Sequence, residues 1–288
     1  MKTKILLGIL FWATVIVVTG ALFYQYYDRI AMLNPKGWVA EQQKDLMWMA
    51  IWLMLLVVIP VFIMTGWIAW KYRASNTKAD YSPDWDNSIL AEAVWWGFPL
   101  LIITVLSFVT FTSTHALDPY KPLASETPPL RVQVIALQWK WLFIYPDQNI
   151  ASVNWLQIPE KTPINFEITS DAPMNSFWIP ELGGQIYAMS GMRTKLHLIA
   201  DQQGEFHGSS ANLSGVGFSG MRFTTKATSQ KEFEEWIKQA QDSPQGLEEK
   251  SYEQLAIPSE YNKVETFTLK DPKLFDTILM KTMQMDRH

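Results

Sequence analysis

The chain has no cysteine. That excludes a disulfide scaffold, thiolate metal sites and anchorage through a lipid-modified cysteine. Histidine is scarce as well. His115, His197, His207 and His288 are scattered, and no pair has the i, i+2 or i, i+4 spacing of a strong metal motif. Each reads as an ordinary hydrogen-bonded or exposed histidine, although His197 and His207, on different strand candidates, are able to approach each other. Charge is low, at 18% of residues, and the net value is −4 at pH 7. A slightly negative balance argues against a nucleic-acid partner. There is no internal repeat and no low-complexity tract.

What the chain has instead is apolar length. It holds 14 tryptophans, and three long apolar runs fill its first 115 residues. Lys2 and Lys4 precede the first run, Ile5 to about Tyr24. Basic residues before such a run make a signal peptide or an uncleaved signal anchor over 1–27. Thr19-Gly20-Ala21 offers small residues to a signal peptidase, but the run continues through Leu22 and Phe23. An extracytoplasmic segment follows over 28–44. The second run, Leu46–Trp70, is free of charge, carries Pro60, which should kink it, and has Trp48, Trp52, Trp67 and Trp70 towards its ends, where interfacial indoles belong. A charge-free run of this length is too long for a buried core helix. Lys71 and Arg73 mark its cytoplasmic end. The third run, Ala93–Thr114, carries Pro99 and returns across the bilayer. The two make a transmembrane hairpin over 45–115 with a polar cytoplasmic loop over 71–92, which places everything after His115 outside the cytoplasm.

From Leu130 the pattern changes to period two. Leu130, Val132 and Val134 alternate with Arg131, Gln133 and Ile135; Trp139, Trp141, Phe143 and Tyr145 then alternate on the other parity. A parity change marks a bulge or a break between two strands. Further strand candidates are Ser152–Ile158, Pro163–Thr169, Phe177–Ile179, Lys195–Ala200, Glu205–Ser209 and Arg222–Thr228. Many short strands with Pro, Gly and Asp-Asn punctuation read as a β-sandwich or barrel. The tail, 229–288, reads as helical. Ser229-x-x-Glu232 is a capping box, followed by Phe233, Trp236, Ile237 and Ala240 on one face. Asp271-Pro272 opens a second helix with Leu274, Phe275, Ile278 and Leu279 apolar. The acidic run Glu232, Glu234, Glu235 reads as a solvated face.

Two segments carry the chemistry. One is Met174-Asn175-Ser176-Phe177-Trp178-Ile179-Pro180. The other is the loop Gly208–Met221, Gly-Ser-Ser-Ala-Asn-Leu-Ser-Gly-Val-Gly-Phe-Ser-Gly-Met. Alone, the second reads as a structural Gly/Ser loop. Together they resemble the paired copper-binding segments of subunit II of haem–copper oxidases, in which a His precedes Ser-Phe and the loop reads Cys-x-Glu-x-Cys-x3-His-x2-Met. Residue by residue, the first His falls on Asn175, the two Cys on Ser210 and Ser214, the Glu on Asn212, the second His on Phe218 and the Met on Met221. Only the Met survives. A binuclear copper centre needs thiolates to bridge its metals and imidazoles to complete them. A serine hydroxyl is a poor soft-metal ligand, and a phenyl ring has no lone pair to give.

The resemblance extends from Leu33 to the last helix and is to the bo-type ubiquinol oxidase branch of that family. Lys71–Asn76, Tyr81-Ser82-Pro83-Asp84-Trp85, Gln185–Met189, Leu196–Ala200 and Gly217–Met221 carry it further. It implies an all-β cupredoxin-like Greek-key sandwich, periplasmic, over 116–228, with a C-terminal helical extension over 229–288. It implies a multi-pass protein of the bacterial inner membrane that braces subunit I of a proton-translocating respiratory complex oxidising ubiquinol and reducing oxygen to water. The haems and catalytic copper would belong to subunit I, with no cofactor and no catalytic residue in this chain. Subunit I, the other oxidase subunits and membrane lipid would be its partners, and cytochrome c would not. Without copper to accept electrons, Trp139 and Trp141 read as packing residues. The resemblance also gives Glu92, before Ala93-Val94-Trp95, a role at the entry of a proton path into subunit I; by itself it is a first-turn carboxylate favoured by the helix dipole. Two rivals are a cytochrome c oxidase subunit II, which the missing ligands oppose, and a free-standing anchored cupredoxin-like binding or assembly protein.

Overall fold

The protein was analysed as a computed structural model, which describes residues 2–79 and 87–285. It divides into two compact units, one of Met1–Lys44 with Pro119–His288, the other Asp45–Asp118. The resemblance segment Tyr81–Trp85 and His288 lie outside the described residues.

The smaller unit is the helical hairpin. It comprises α2 (Trp38–Lys71) from Asp45 onward and α3 (Ile89–Ala116); α1 (Lys2–Tyr26) and the first turns of α2 fall in the other unit. All three are long and apolar enough to cross a membrane. Helix α2 has 34 residues, about 51 Å at the α-helical rise, against a hydrocarbon layer of about 30 Å. Its surplus is the N-terminal end, which begins at Trp38, inside the stretch 28–44 that the sequence set before the hairpin as an extracytoplasmic segment. There Val39 and Ala40 are buried in the larger unit, and backbone bonds run from Lys36 N–H to Glu181 O (2.7 Å) and from Ala40 N–H to Leu182 O (3.2 Å). Helix α2 continues through Pro60 and α3 through Pro99. The side-chain hydroxyls of Thr65, Thr104 and Thr112 bond to carbonyls of the preceding turn, so these polar groups are satisfied inside their own helix, as a lipid environment requires.

The larger unit is a two-sheet sandwich. One sheet holds β1 (Leu130–Leu137), β2 (Lys140–Tyr145), β3 (Ile150–Val153), β5 (Ile164–Ser170), β8 (Thr194–Leu198), β11 (Gly246–Leu247) and β12 (Glu265–Leu269), in the order β11-β12-β3-β2-β1-β5-β8. The other holds β4 (Trp155–Pro159), β6 (Asn175–Trp178), β7 (Ile186–Ala188), β9 (Gly204–Ser210) and β10 (Arg222–Thr228), in the order β4-β10-β9-β6-β7. The parity change at Leu137–Lys140 is a two-residue hairpin turn at Gln138 and Trp139. It pairs Ala136 with Trp141 and Val134 with Phe143, so the two parities share one face. That face is the sandwich core, where the Phe177 and Phe223 rings stack at 5.2 Å and Trp141 meets both edge-on.

The opposite parity is buried too. Ile135, Leu137, Leu142, Ile144, Ala151 and Val153 pack beneath Leu247, Tyr252, Phe267, Leu269, Leu274, Phe275, Ile278 and Leu279. The C-terminal extension therefore covers the outer face of the larger sheet, and this explains why β1 and β2 read as nearly continuous apolar runs. The extension is not purely helical, as the sequence implied. Between α4 (Gln230–Gln241), α5 (Glu249–Leu255) and α6 (Leu274–Met285) it contributes β11 and β12, and β12 extends the sheet alongside β3. The capping box at Ser229 and Glu232 forms. Asp271 accepts from Lys273 N–H (2.9 Å), but α6 begins only at Leu274. The candidate strand Ser152–Ile158 is two strands in different sheets, parted by Asn154 in the left-handed region (φ 55°). Asparagine tolerates that conformation, and its Oδ1 accepts from Trp141 N–H (2.9 Å) across the break.

Candidate functional site

The Gly208–Met221 loop leaves the end of β9 and returns into β10. Next to it lies β6, with Phe177 opposite Ser210. This antiparallel pairing brings together Asn175, Ser210 and Asn212, three of the positions aligned with copper ligands. Asn175 and Ser210 are both buried. The Ser210 hydroxyl donates its one proton to Asn175 Oδ1 (2.9 Å), with Asn212 O a second, longer acceptor at 3.2 Å, and accepts from the Ser176 N–H (3.4 Å). Asn175 Nδ2 donates to Pro173 O (2.7 Å), and Asn212 Nδ2 to Met174 O (2.9 Å). The polar groups at these positions satisfy one another and the local backbone.

The other three positions do different work. Ser214 accepts the indole N–H of Trp139 at its carbonyl (3.2 Å), while its buried hydroxyl has no hydrogen-bond partner among the described residues. Phe218 lies in a 3-10 turn, Val216–Gly220. It lines a cavity of about 440 Å³ with Pro180, His207, Ser209, Ser210 and Met221. Met221 is buried, and its N–H bonds to Phe218 O (3.0 Å). With two hydroxyls, two amides, a phenyl ring and one thioether, the residues present do not fit a binuclear copper centre.

Trp139 is the support beneath the loop. It holds φ 68°, a strained conformation for a bulky residue. Its ring lies against the loop glycines: a Cβ at Gly217 would come within 2.4 Å of it, and Gly215 itself sits at φ 112°. Packing and the Ser214 bond hold the strained turn in place. Trp141 is fully buried in the core.

The neighbouring Lys140 is a feature the sequence did not single out. It is buried, and its ammonium donates to Leu255 O (2.8 Å), Ile257 O (3.0 Å) and Ser259 Oγ (2.6 Å). Burial pushes its pKa below the ordinary lysine value, against the opposing charge of Glu265. This staple ties the chain after α5 to the start of β2. Farther along, Tyr261 lies over Gly220, and its hydroxyl meets Ser219 Oγ (3.3 Å). One hairpin thus carries the loop through Trp139 and the extension through Lys140. Only the lysine's position inside an aromatic strand hinted at this, since its acceptors lie more than a hundred residues away in sequence.

The three described histidines do not assemble. His197 lies on β8 in one sheet, half of a contact between its Nδ1 and Pro119 O (2.9 Å), and His207 is exposed on β9 in the other. His115 Nδ1 meets Phe111 O (2.7 Å) within α3. Among the described residues no group of three or more His, Cys, Asp or Glu is placed to hold a metal ion. Glu92 is exposed in the first turn of α3, after the N-cap Ser88, whose hydroxyl accepts from Ala91 N–H (3.4 Å).

An apolar hairpin joined to a two-sheet sandwich, with a Gly/Ser loop returning between β9 and β10, defines the class: a cupredoxin-like subunit II domain with helices able to anchor it in a membrane. Residues 149–228 match the family model described as cytochrome c oxidase subunit II, periplasmic domain, and residues 241–286 that of the COX aromatic rich motif. The chain is 55% identical over 256 residues to cytochrome bo(3) ubiquinol oxidase subunit 2 of Pseudomonas putida, covering 89% of this chain and 82% of that one. It is 52% identical over 252 residues to ubiquinol oxidase subunit 2 of Acetobacter aceti, covering 87% and 82%. It is 38% identical to quinol oxidase subunit 2 of Bacillus cereus strain ATCC 14579, covering 86% and 87%. The chain belongs to the ubiquinol oxidase subunit 2 family.

Proposed function

We propose that this chain is the non-redox subunit II of a proton-translocating terminal ubiquinol oxidase. It braces and caps subunit I in the bacterial inner membrane, with its sandwich in the periplasm. The observation that carries this reading is the Asn175–Ser210–Asn212 cluster. Where an electron-accepting relative would need thiolates and imidazoles, this chain has a neutral hydrogen-bonded knot. With no copper here, electrons from quinol enter through subunit I, which holds the haems and the catalytic copper, and cytochrome c is not a partner. Membrane lipid and the remaining oxidase subunits cover the apolar helices. The names of the relatives support the substrate class, and Lys71 at the end of α2 with Arg73 just beyond it supports a cytoplasmic hairpin loop. Glu92 then stands at the cytoplasmic end of α3, where an exposed carboxylate can collect protons for a path into subunit I. The test is to purify the complex through a tag on this chain and record its haem spectrum and its quinol-oxidase rate. Haem-free chain obtained alone, from membranes that do oxidise quinol, would defeat the proposal.

A further inference from the structure

We infer that α1 is a retained third transmembrane span, an apolar surface whose partner is the lipid bilayer, and is not a cleaved leader. The inference rests on the membrane orientation proposed above.

The first argument is length. The segment is helical from Lys2 to Tyr26, 25 residues, or about 37 Å at the α-helical rise. The hydrocarbon layer is about 30 Å thick, whereas the apolar part of a cleaved signal has about 7–15 residues. The stretch between Lys4 and Asp28 contains no charged side chain.

The second is the site a peptidase would need. Thr19, Gly20 and Ala21 are the three consecutive small residues of the segment, beside the isolated Gly8 and Ala13, and they do not lie beyond the apolar run. They sit inside an unbroken helix that continues through Leu22 and Phe23, both about half exposed. A protease binds its substrate as extended backbone. Cutting here requires the chain from Thr19 to leave that helix for an extended conformation.

The third is how the helix ends. Tyr24, Tyr26 and Tyr27 cluster at its C-terminal end, followed by Asp28 and Arg29, with the Arg29 guanidinium over the Tyr26 ring at 5.4 Å. Amphipathic aromatics with a charged group beyond them are the interfacial anchors of a span. Most side chains described along α1 are apolar and exposed, with Leu10, Phe11, Trp12, Ile16, Val17 and Leu22 all half or more exposed. The hydroxyl of Thr14 is satisfied by Leu10 O (2.8 Å), within the helix. The chain has no cysteine, so no thioether-linked lipid can replace the helix as an anchor. With Lys2 and Lys4 inside, three spans put the sandwich outside, the same side that the hairpin alone requires.

The experiment uses the full chain in the assembled complex, tagged at its C-terminus. Intact mass and the N-terminal peptide are measured on the purified protein. The expected result is a chain beginning at Met1 or Lys2; an N-terminus anywhere from Gly20 to Arg29 would overturn the inference. The Ala21→Leu variant removes the last of the three small residues that a signal peptidase would require. Its mass should rise only by the substitution, whereas a gain of some twenty residues over the unmodified chain would mean that cleavage normally occurs. Thr3→Cys supplies the sole thiol. It should resist a membrane-impermeant maleimide in intact cells and react at least tenfold more in inverted vesicles, and the reverse pattern would contradict a cytoplasmic N-terminus. Quinol oxidation by the same preparation separates the two readings: an active complex with a shortened chain sinks the third span and leaves the proposed function standing.

Discussion

Removing the Ser210 hydroxyl should destabilise the larger unit, and removing the Ser214 hydroxyl should not. Ser210→Ala leaves the buried Asn175 Oδ1 without its donor and takes an acceptor from the Ser176 N–H. An orphaned buried acceptor costs about 1–3 kcal/mol, and the serine-to-alanine change itself opens almost no cavity. We take about 2 kcal/mol, which for a unit of this size lowers Tm by about 4–8 °C. Ser214 is the control built into the same loop. Its buried hydroxyl has no hydrogen-bond partner among the described residues, so Ser214→Ala discards an unsatisfied polar group and should be neutral or slightly stabilising. Melting of the full-length chain in detergent, followed by tryptophan fluorescence, reads both, since Trp139 and Trp141 adjoin the site. A cycle with Asn175→Ala should show coupling to Ser210 of about 1 kcal/mol and none to Ser214. If Ser214→Ala costs as much as Ser210→Ala, or if Asn175 and Ser210 prove additive, the hydrogen-bonded knot does not hold the loop and the reasoning fails.

Four further outcomes are expected. Copper titrated into the full-length chain should not be taken up tightly, whereas a variant with Ser210→Cys, Ser214→Cys, Asn175→His, Phe218→His and Asn212→Glu should turn purple; a colourless variant would show that the loop lacks a copper-competent backbone. Glu92→Gln should leave complex yield unchanged and slow quinol oxidation per haem by tenfold or more, so a full rate in an assembled complex removes Glu92 from proton entry. Ala74→Cys should be shielded from an impermeant reagent in whole cells while Gln202→Cys reacts, and inverted labelling would refute the hairpin orientation. The Glu167 carboxyl is raised by burial but pulled below the ordinary value by bonds from Arg131 and Gln133 and by the charges of Arg131 and Arg193. A depressed folded pKa contributes stability above the unfolded value of 4.5 that is lost as pH falls through the folded one. Glu167→Gln should therefore flatten the acid side of the Tm profile below about pH 5, and an unchanged profile would show that this network carries no such linkage.

The apolar runs of α2 and α3, the strand β10 and the Ser229–Glu232 capping box were legible because each is specified by residues close in sequence. The break at Asn154 was not. Its side chain reaches Trp141 N–H and Asn262 O, partners that no local pattern announces, and without it Ser152–Ile158 reads as one strand. The strand β7, three residues long, is too short for a period to show, and β12 pairs with the edge that β3 offers it within a tail that reads as helical on either side. The loop alignment located Asn175, Ser210 and Asn212, but their mutual bonds depend on β6 pairing with β9. Lys140 escaped notice because a buried ammonium is recognised only by its acceptors, all of them in the extension.

The most direct measurement is made on the complex purified through this chain: oxygen uptake with ubiquinol and with reduced cytochrome c, beside haem and copper content and the near-infrared spectrum. The account predicts rapid uptake with ubiquinol, none with cytochrome c, and no absorption from a binuclear copper centre. Cytochrome c oxidation accompanied by that absorption would contradict it.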